Sequence, residues 1–570
     1  MKTIKGIPVS EGIAIGTAHI IQQEKIKIKR KKIQQEDISD ELDKFDSDVK
    51  KVVKEIDNLI ENYTHNQEHK EILSTQKMIL KDPEFIQRVG KQIKDKLYSV
   101  EHAVSNYFSE VTSIFNKMDN EFYAQRATDY EDVAYRFLSH SLNQRKNRIV
   151  DLNEDSVLLK ENITPSFVTK VFERNIKGLA TVHGSRNSHS SIIARSMQLP
   201  MLAGVHNLLK EIEDGDQIIL DGSEGIIIIN PEKADLEKYQ KLFQQEQEYK
   251  KKLDKLIDEK AVTKDGKQIK LMSNIEIPDE VQQVIHFKSE GIGLFRTEFL
   301  FIDKNKLPTE DEQYEIYKDI ADKIRPENLI IRTIDVGGDK LSSILNLTKE
   351  ENPNLGCRGI RISFENISVF KQQIRAILRA NEHGNIKIMF PMISDVAEII
   401  RAKKILKECR NELCTKNVNC CSDIKFGAMI EVPSAVITSD AIAEQCDFLS
   451  IGTNDLIQYT LAVDRDNEAV SQYYKACHPS VLRSIKMTVD NAHKNDVSVA
   501  VCGEMASEIR YVKLLLGLGV DELSVSPGRL LRVKNAIMNL DMKCAKELAV
   551  KALKEDSSEA ISKILDRYED

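Results

Sequence analysis

Between Ile269 and Ser526 the chain repeats one pattern eight times: a short strand-like run, then a stretch with helical spacing. The runs are Ile269–Glu276, Gly291–Glu298, Leu329–Val336, Ile386–Ile393, Phe426–Val432, Phe448–Asp455, Val497–Glu504 and Glu522–Ser526. Eight such units in roughly 260 residues are the count and length of a (β/α)8 TIM barrel. No short-period internal repeat competes with this reading as a solenoid would. A barrel also restricts where chemistry sits, because active sites form at the C-terminal ends of its strands.

The first half has a different texture. Gly6-Ile-Pro, Gly12-Ile-Ala-Ile-Gly16 and Ala18-His-Ile-Ile21 are short, Gly-punctuated and β-like. From Gln22 to Gln144 there is almost no Gly, and Val49, Val52, Val53, Ile56, Leu59 and Ile60 fall at helical spacing. That pattern predicts an antiparallel helical bundle, with a turn at Asp82-Pro83. Ile149-Val-Asp-Leu then returns to short strands and Gly turns, so the bundle reads as an insertion into an α/β domain. Residues 234–260 predict one long amphipathic helix. It serves as a linker between two halves, although a surface helix of either half fits the pattern equally well. The expected division is an α/β domain at 1–21 and 145–231, the inserted bundle at 22–144, the linker helix at 232–260 and the barrel at 261–570.

Composition narrows the function classes. Trp is absent, aromatics are 6% and the net charge is −8, which argues against a nucleic-acid platform or a phosphate-backbone binder. No run approaches the ~18 apolar residues of a membrane span, and the N-terminal segment is not a secretory leader. All nine Cys lie at or after Cys357. An odd, lopsided count reads as reduced thiols in a cytoplasmic protein.

The predicted strand ends carry Asn274 and Glu276, Arg296 and Glu298, Arg332 and Asp335, Pro391, Glu431, Asn454 and Asp455, Cys502 and Glu504, and Ser526, with Lys340, Arg358 and Arg465 in the loops beyond. Any one of these is as readily a solvated or ion-paired surface group. Their coincidence at one mouth points to a phosphorylated substrate held by arginine forks and a hard divalent cation on Glu431 and Asp455. A buried thiol is usually inert. Cys502, in Val501-Cys502-Gly503-Glu504, nevertheless sits where a substrate carbon could gain or lose a proton. Cys409, Cys414, Cys420 and Cys421 match no paired zinc-ligand spacing, and a helix end with an exposed loop accounts for them.

A second reactive position lies in the α/β domain, in Gly184-Ser-Arg-Asn-Ser188-His189-Ser-Ser-Ile-Ile-Ala-Arg195. The pattern predicts a helix start with Ser188 as cap and Ile192, Ile193 and Met197 inward. A helix start favours the neutral form of a His placed there, and its free N–H groups would stabilise a phosphoryl group attached to it. Capping or packing alone is the ordinary role of such a His.

With these segments in order, the chain resembles Enzyme I of the bacterial phosphoenolpyruvate:sugar phosphotransferase system. The matching segments are Arg186–Arg195, Gly291-Ile-Gly-Leu-Phe-Arg296-Thr-Glu-Phe-Leu-Phe301, Arg332-Thr-Ile-Asp-Val-Gly-Gly-Asp-Lys340 and Asn352-Pro-Asn-Leu-Gly-Cys-Arg358, followed by Met389-Phe-Pro-Met392, Met429-Ile-Glu431-Val-Pro-Ser434, Ser450–Arg465, His478-Pro and Cys502-Gly-Glu504. Related dikinases and synthases carry a nucleotide-grasp domain for which this chain has no room.

The resemblance implies that His189 accepts the phosphoryl group of phosphoenolpyruvate. It implies that Arg296, Arg332 and Arg465, with Asn454, Lys340 and Arg358, hold the substrate. It further implies Mg²⁺ on Glu431 and Asp455, and Cys502 as the acid that yields pyruvate. The bundle would dock the phosphocarrier HPr, with Glu68, Glu71, Asp82 and Glu84 offering an acidic face, and the barrel would form a homodimer. One histidine serving two partners would require a hinge after Pro231.

The chain departs from the family pattern at Ser185 (usually Gly), Asn187 (usually Thr), Val168 (usually Thr, with Thr169 one place along) and Cys357 (usually bulky and apolar). Two rivals remain open at this stage: a regulatory or scaffold relative without turnover, and a lyase or aldolase of the same barrel superfamily that would not need His189.

Overall fold

The structure, a computed structural model, describes residues 2–21, 32–62, 76–115, 121–142, 155–163, 167, 171, 174, 176–184, 189–196, 199–301, 306–337, 350, 352–416, 418, 424–465, 467 and 469–568. Two compact units compose it, Met1–Gln247 and Glu248–Asp570.

The first unit contains one mixed sheet. Its strands are β1 (Lys2–Lys5), β2 (Ile7–Ser10), β3 (Ile13–Ile20), β4 (Ser156–Lys160), β5 (Gly178–Thr181), β6 (Met201–Ala203), β7 (Gln217–Asp221) and β8 (Ile226–Ile229), in the spatial order β1-β8-β7-β3-β4-β5-β6-β2. Strands β3 and β4 pair in parallel, Thr17 opposite Ser156 and Ile20 opposite Leu159, although the whole helical insertion separates them in sequence. The insertion includes the helices Ile38–Asn62, Pro83–Lys96, Val100–Phe115 and Glu121–Ser141.

The turn at Asp82-Pro83 has a local cause. Asp82 caps the helix by accepting the Glu84 N–H at 2.8 Å, and Pro83 takes the first helical position, where its missing N–H costs nothing. Asp82 is therefore spent as a cap, and Glu84 pairs with Arg88 at 3.4 Å, while Glu68 and Glu71 lie outside the described residues. The bundle core is aromatic: Phe85 packs against Phe45, Tyr107 and Phe108 with ring centroids 5.5, 5.1 and 5.3 Å apart.

A helix at Lys233–Asp254 follows. Its Tyr239 is buried with Ile219 and Ile228 in the first unit, and its Leu253 joins the core of the second. It ends six residues before the predicted limit because a side chain claims the next carbonyls. The buried Lys534 ammonium donates to Leu256 O, Ile257 O and Glu259 O at 3.1, 3.2 and 2.8 Å.

The second unit is the closed parallel barrel. Its strands are β9 (Lys270–Ile275), β10 (Ile292–Phe295), β11 (Leu329–Arg332), β12 (Ile386–Phe390), β13 (Phe426–Ile430), β14 (Phe448–Ile451), β15 (Ser498–Val501) and β16 (Glu522–Val525). The last strand closes on the first, from Glu522 opposite Lys270 to Val525 opposite Ser273. All eight strands stop one to four residues before the predicted run ends. The runs look longer because the first loop residues are buried too, as at Ile334, Val336 and Ile393. Asn454 and Asp455 are corrected accordingly: they lie in the first turn of the helix Thr453–Leu461, just past β14.

Met272, Leu294, Ile330, Met389, Met429, Phe448 and Cys502 fill the barrel interior. Helices cover the outside and begin at caps written in the sequence, such as Thr309 with Glu312 and Asp395 with Glu398. Arg375 ties three of these helices together, reaching Glu310 at 2.7 Å and Glu412 at 3.0 Å. Among the described residues no helix is long and apolar enough to cross a membrane.

Phe85→Ala removes the hub of the aromatic cluster and is expected to cost about 3–5 kcal/mol. Calorimetry should show the bundle melting earlier while the barrel transition stays in place.

Candidate functional site

Beyond the strand ends, the expected cations and carboxylates form an Arg296–Glu276 pair and a connected run of ion pairs, Glu298–Arg332–Asp335–Arg358–Asp455. Arg296, one residue past β10, pairs with Glu276, one residue past β9. Arg332 ends β11 and is buried. Its Nη2 donates to Glu298 Oε1 at 2.6 Å, and its Nη1 lies 3.0 Å from Asp335 Oδ2. Arg358 forks twice. Its Nε and Nη2 donate to Asp335 at 3.0 and 3.1 Å, and its Nη1 and Nη2 donate to Asp455 at 3.2 and 3.1 Å. Nη1 also reaches Tyr459 Oη at 3.2 Å, and that hydroxyl donates to Asn354 O at 2.5 Å.

Planar guanidinium forks suit this two-carboxylate geometry, which an ammonium cannot reproduce. Burial alone would raise the Asp335 carboxyl, but Arg332 and Arg358 hold it below the usual carboxylate range. The arginines keep their charge for the reciprocal reason. Some polar valence is left over. Arg296 Nε, Arg332 Nε and Glu298 Oε2 are buried and, among the described residues, have no hydrogen-bond partner. Unspent buried donors beside strand ends are what an anionic ligand would use.

Glu431, one residue past β13, is buried and accepts the Met392 N–H at 2.7 Å. Met392 holds that N–H in place from the left-handed region, at φ 56°, where a non-Gly residue is strained. Burial first, then the nearby Asp455 and Asp335 carboxylates, push the Glu431 carboxyl well above its usual range. Crowded hard oxygens that repel one another are relieved by a divalent cation, so these residues fit one. Among the described residues no set of three or more His, Cys, Asp or Glu is arranged to hold a metal by itself. An ion here would complete its shell with other oxygens.

Cys502, the first residue past β15, is 2% exposed. Its Sγ receives the Ser450 hydroxyl at 3.2 Å and lies 3.7 Å from Ile451 O. Burial raises its thiol, against the opposing pull of Ser450, Arg332 and Arg296, so the group stays protonated. The next residue must be Gly503: a Cβ there would sit 1.8 Å from Thr453 Oγ1. That close approach sets the Cys502 loop against the start of the helix Thr453–Leu461, where Asn454 Oδ1 accepts the Glu504 N–H at 2.9 Å.

The structure thus gathers Arg296, Arg332, Arg358, Glu431, Asn454, Asp455 and Cys502 in one unit. Arg465 follows the same helix and is exposed, its backbone N–H held by Gln458 Oε1 at 3.1 Å. Lys340 lies outside the described residues, as do Ser185, Asn187, Val168, Thr169, Cys420 and Cys421. His189 begins the helix His189–Ser196 in the first unit; its side chain, with those of Ile192, Ile193 and Met197, lies outside what the structure describes. Behind it Ser190 donates to Ile163 O at 3.0 Å. Cys357 binds Glu350 through its backbone N–H at 2.9 Å, and Cys409 is buried against Lys371 O.

Sequence reasoning missed Ser450 and Tyr459. Strand alternation points to Ser450, since its neighbours Leu449 and Ile451 belong to the outer core while Phe448 belongs to the interior. Nothing local distinguishes Tyr459.

Comparison with known proteins agrees in every part of the chain. Residues 250–542 match the family described as PEP-utilising enzyme, PEP-binding domain. Residues 5–126 match the PEP-utilising enzyme N-terminal family, and residues 152–225 its mobile domain. The phosphoenolpyruvate-protein phosphotransferase of Priestia megaterium is 38% identical over 542 residues, covering 95% of this chain and 94% of that protein. Those of Listeria monocytogenes serovar 1/2a and Bacillus subtilis (strain 168) are 36% and 37% identical, covering 100% and 98% of this chain and 99% and 98% of theirs.

Asp335 sits between two arginines, and Asp335→Asn is expected to cost about 3–5 kcal/mol at neutral pH. Its lowered pKa fixes the sign: the contribution is present above the unfolded value near 4 and is lost as pH falls through the folded value. The gap in melting temperature between variant and wild type should therefore be full at pH 7 and should begin to shrink as pH falls below about 4.

Proposed function

The chain belongs to the phosphoenolpyruvate–protein phosphotransferases among the PEP-utilising enzymes, and from that premise we propose the route its phosphoryl group takes. Phosphoenolpyruvate phosphorylates His189, pyruvate leaves, and the phosphoryl group passes to a histidine of an HPr-like carrier as the first step of sugar uptake. On this reading the α/β domain (1–21 and 145–231) carries the phosphohistidine and the bundle (22–144) receives the carrier. The helix at 232–260 links them to the barrel (261–570), which binds phosphoenolpyruvate and pairs two copies of the cytoplasmic protein.

The observation that carries the reading is a protonated, buried thiol close enough to Arg332 and Arg296 to feel their charges, beside guanidinium groups with donors to spare. Arg296, Arg332 and Arg465 bind the substrate's phosphate and carboxylate, with Asn454, Lys340 and Arg358 around them. To do so Arg296 and Arg332 exchange a protein carboxylate for a substrate oxygen, so the sites stay neutralised throughout. Mg²⁺ on Glu431 and Asp455 would supply Lewis-acid stabilisation of phosphate charge. The neutral imidazole of His189 attacks phosphorus, and its place at a helix start suits the product anion. As the enolate of pyruvate departs, the Cys502 S–H bond breaks and a C–H bond forms at its methylene carbon, leaving thiolate and pyruvate. Water returns the thiol proton.

Intact-protein mass after brief exposure to phosphoenolpyruvate and Mg²⁺ tests this. Wild type should gain one acid-labile phosphoryl group and His189→Ala none, and an adduct retained by His189→Ala would refute the assignment. Cys502→Ala should slow pyruvate formation by about 10²–10⁴-fold.

A further inference from the structure

Cys502 has no ladder partner on its β16 side, where pairing stops at Val501 opposite Leu523. On the β14 side it is held by its own N–H, which donates to Ile451 O at 3.2 Å, and by its sulfur through Ser450. What holds its carbonyl is a side chain from the far end of the barrel sequence. Asn274, the penultimate residue of β9, donates through Nδ2 to Cys502 O at 2.8 Å and to Ser524 O at 3.0 Å. Its Oδ1 accepts the Ser524 hydroxyl at 2.6 Å.

The primary amide has two N–H donors and one acceptor oxygen, and all three are used here. One side chain thereby ties together the C-terminal ends of β9, β15 and β16. Room for it is made opposite: a Cβ at Gly293 would come within 2.4 Å of Ser524 Oγ. Ser524 itself is fully buried, so its hydroxyl has no water to turn to.

We propose that Asn274 is a positioning residue, the clamp that fixes the Cys502 carbonyl and so aims the thiol at the substrate's methylene carbon. The proposal rests on the reading of Cys502 as the acid. Asn274 touches no reacting atom and acts only through Cys502. Its chemistry is specific to a neutral amide. An Asp of the same shape would still accept from Ser524, but it would set a carboxylate against two carbonyl oxygens in place of the donors.

A loosened acid delays the proton and leaves phosphoryl transfer largely intact, because the arginines and His189 do not depend on the clamp. The experiment follows both events in the same single-turnover samples. Intact mass reads phosphoryl on the protein, and reduction by lactate dehydrogenase, which accepts the ketone and not the enol, reads pyruvate. In wild type the two should rise together. In Asn274→Asp the phosphoryl signal should stay within about three-fold of wild type while ketone lags by about ten-fold or more. Alkylation of Cys502 by iodoacetamide, read on its own peptide, should accelerate by a similar factor in Asn274→Asp and Asn274→Ala.

Equal slowing of both signals would reveal a merely structural residue and overturn the proposal, as would ketone with no lag. Cys502→Ala separates the two ideas. If it shows no lag, the acid assignment itself has failed. If it lags and both Asn274 variants do not, the acid stands and the clamp falls. Should Asn274→Ala not fold, the isosteric Asn274→Asp carries the test alone.

Discussion

Everything at the barrel mouth depends on one constraint: a charge removed from water must be met by an opposite charge in good geometry. The run Glu298–Arg332–Asp335–Arg358–Asp455 meets it with forked contacts between 2.6 and 3.2 Å. Taking such ions out of water costs several kcal/mol each, and only mutual pairing offsets it. The loops after β10 and β11 and the helix after β14 are therefore held by electrostatics as much as by packing. Arg332 and Arg358 are thus already largely out of water and already opposed by carboxylates.

Glu431 is the exception that gives the mouth its polarity. It lies among the same groups but, among the described residues, forms no ion pair with an arginine, and burial with two neighbouring carboxylates raises its pKa. The strained backbone at Met392 spends its N–H on this one carboxylate, which is unusual use of a costly conformation. On the other flank the barrel interior is apolar and sulfur-rich, and there Cys502 stays protonated. The paired charges and the protonated thiol thus lie in adjacent but dielectrically different surroundings.

Much of this was legible from residues alone. Periodicity located all eight barrel strands, because buried strands are continuous apolar runs. The turn expected at Asp82-Pro83 is where a helix starts. Arg296, Arg332 and Arg358 could be placed at a mouth, since a barrel puts strand ends there. What sequence could not supply was partnership. That Asp335 lies between two arginines, that Tyr459 completes an Arg358 contact and that Asn274 reaches Cys502 all depend on loops whose paths no local pattern encodes. Strand ends were overrun for a related reason, because burial in the first loop residues imitates strand hydrophobicity. The helix after Pro231 stopped early because its boundary is set by Lys534, about 280 residues away in sequence.

The closure of the barrel by its last strand on its first has a consequence for how the molecule comes into being. The Lys270–Glu522 contact joins residues 252 positions apart. At roughly 5–20 residues per second on the ribosome, the β9 edge that pairs with β16 waits tens of seconds for its partner to emerge. Until β16 emerges the barrel cannot close, and an unpaired strand edge is the form most prone to pair with a neighbour. Arg375, Glu310 and Glu412 all precede the closing strand, so the outer cross-bracing needs nothing that is made after it.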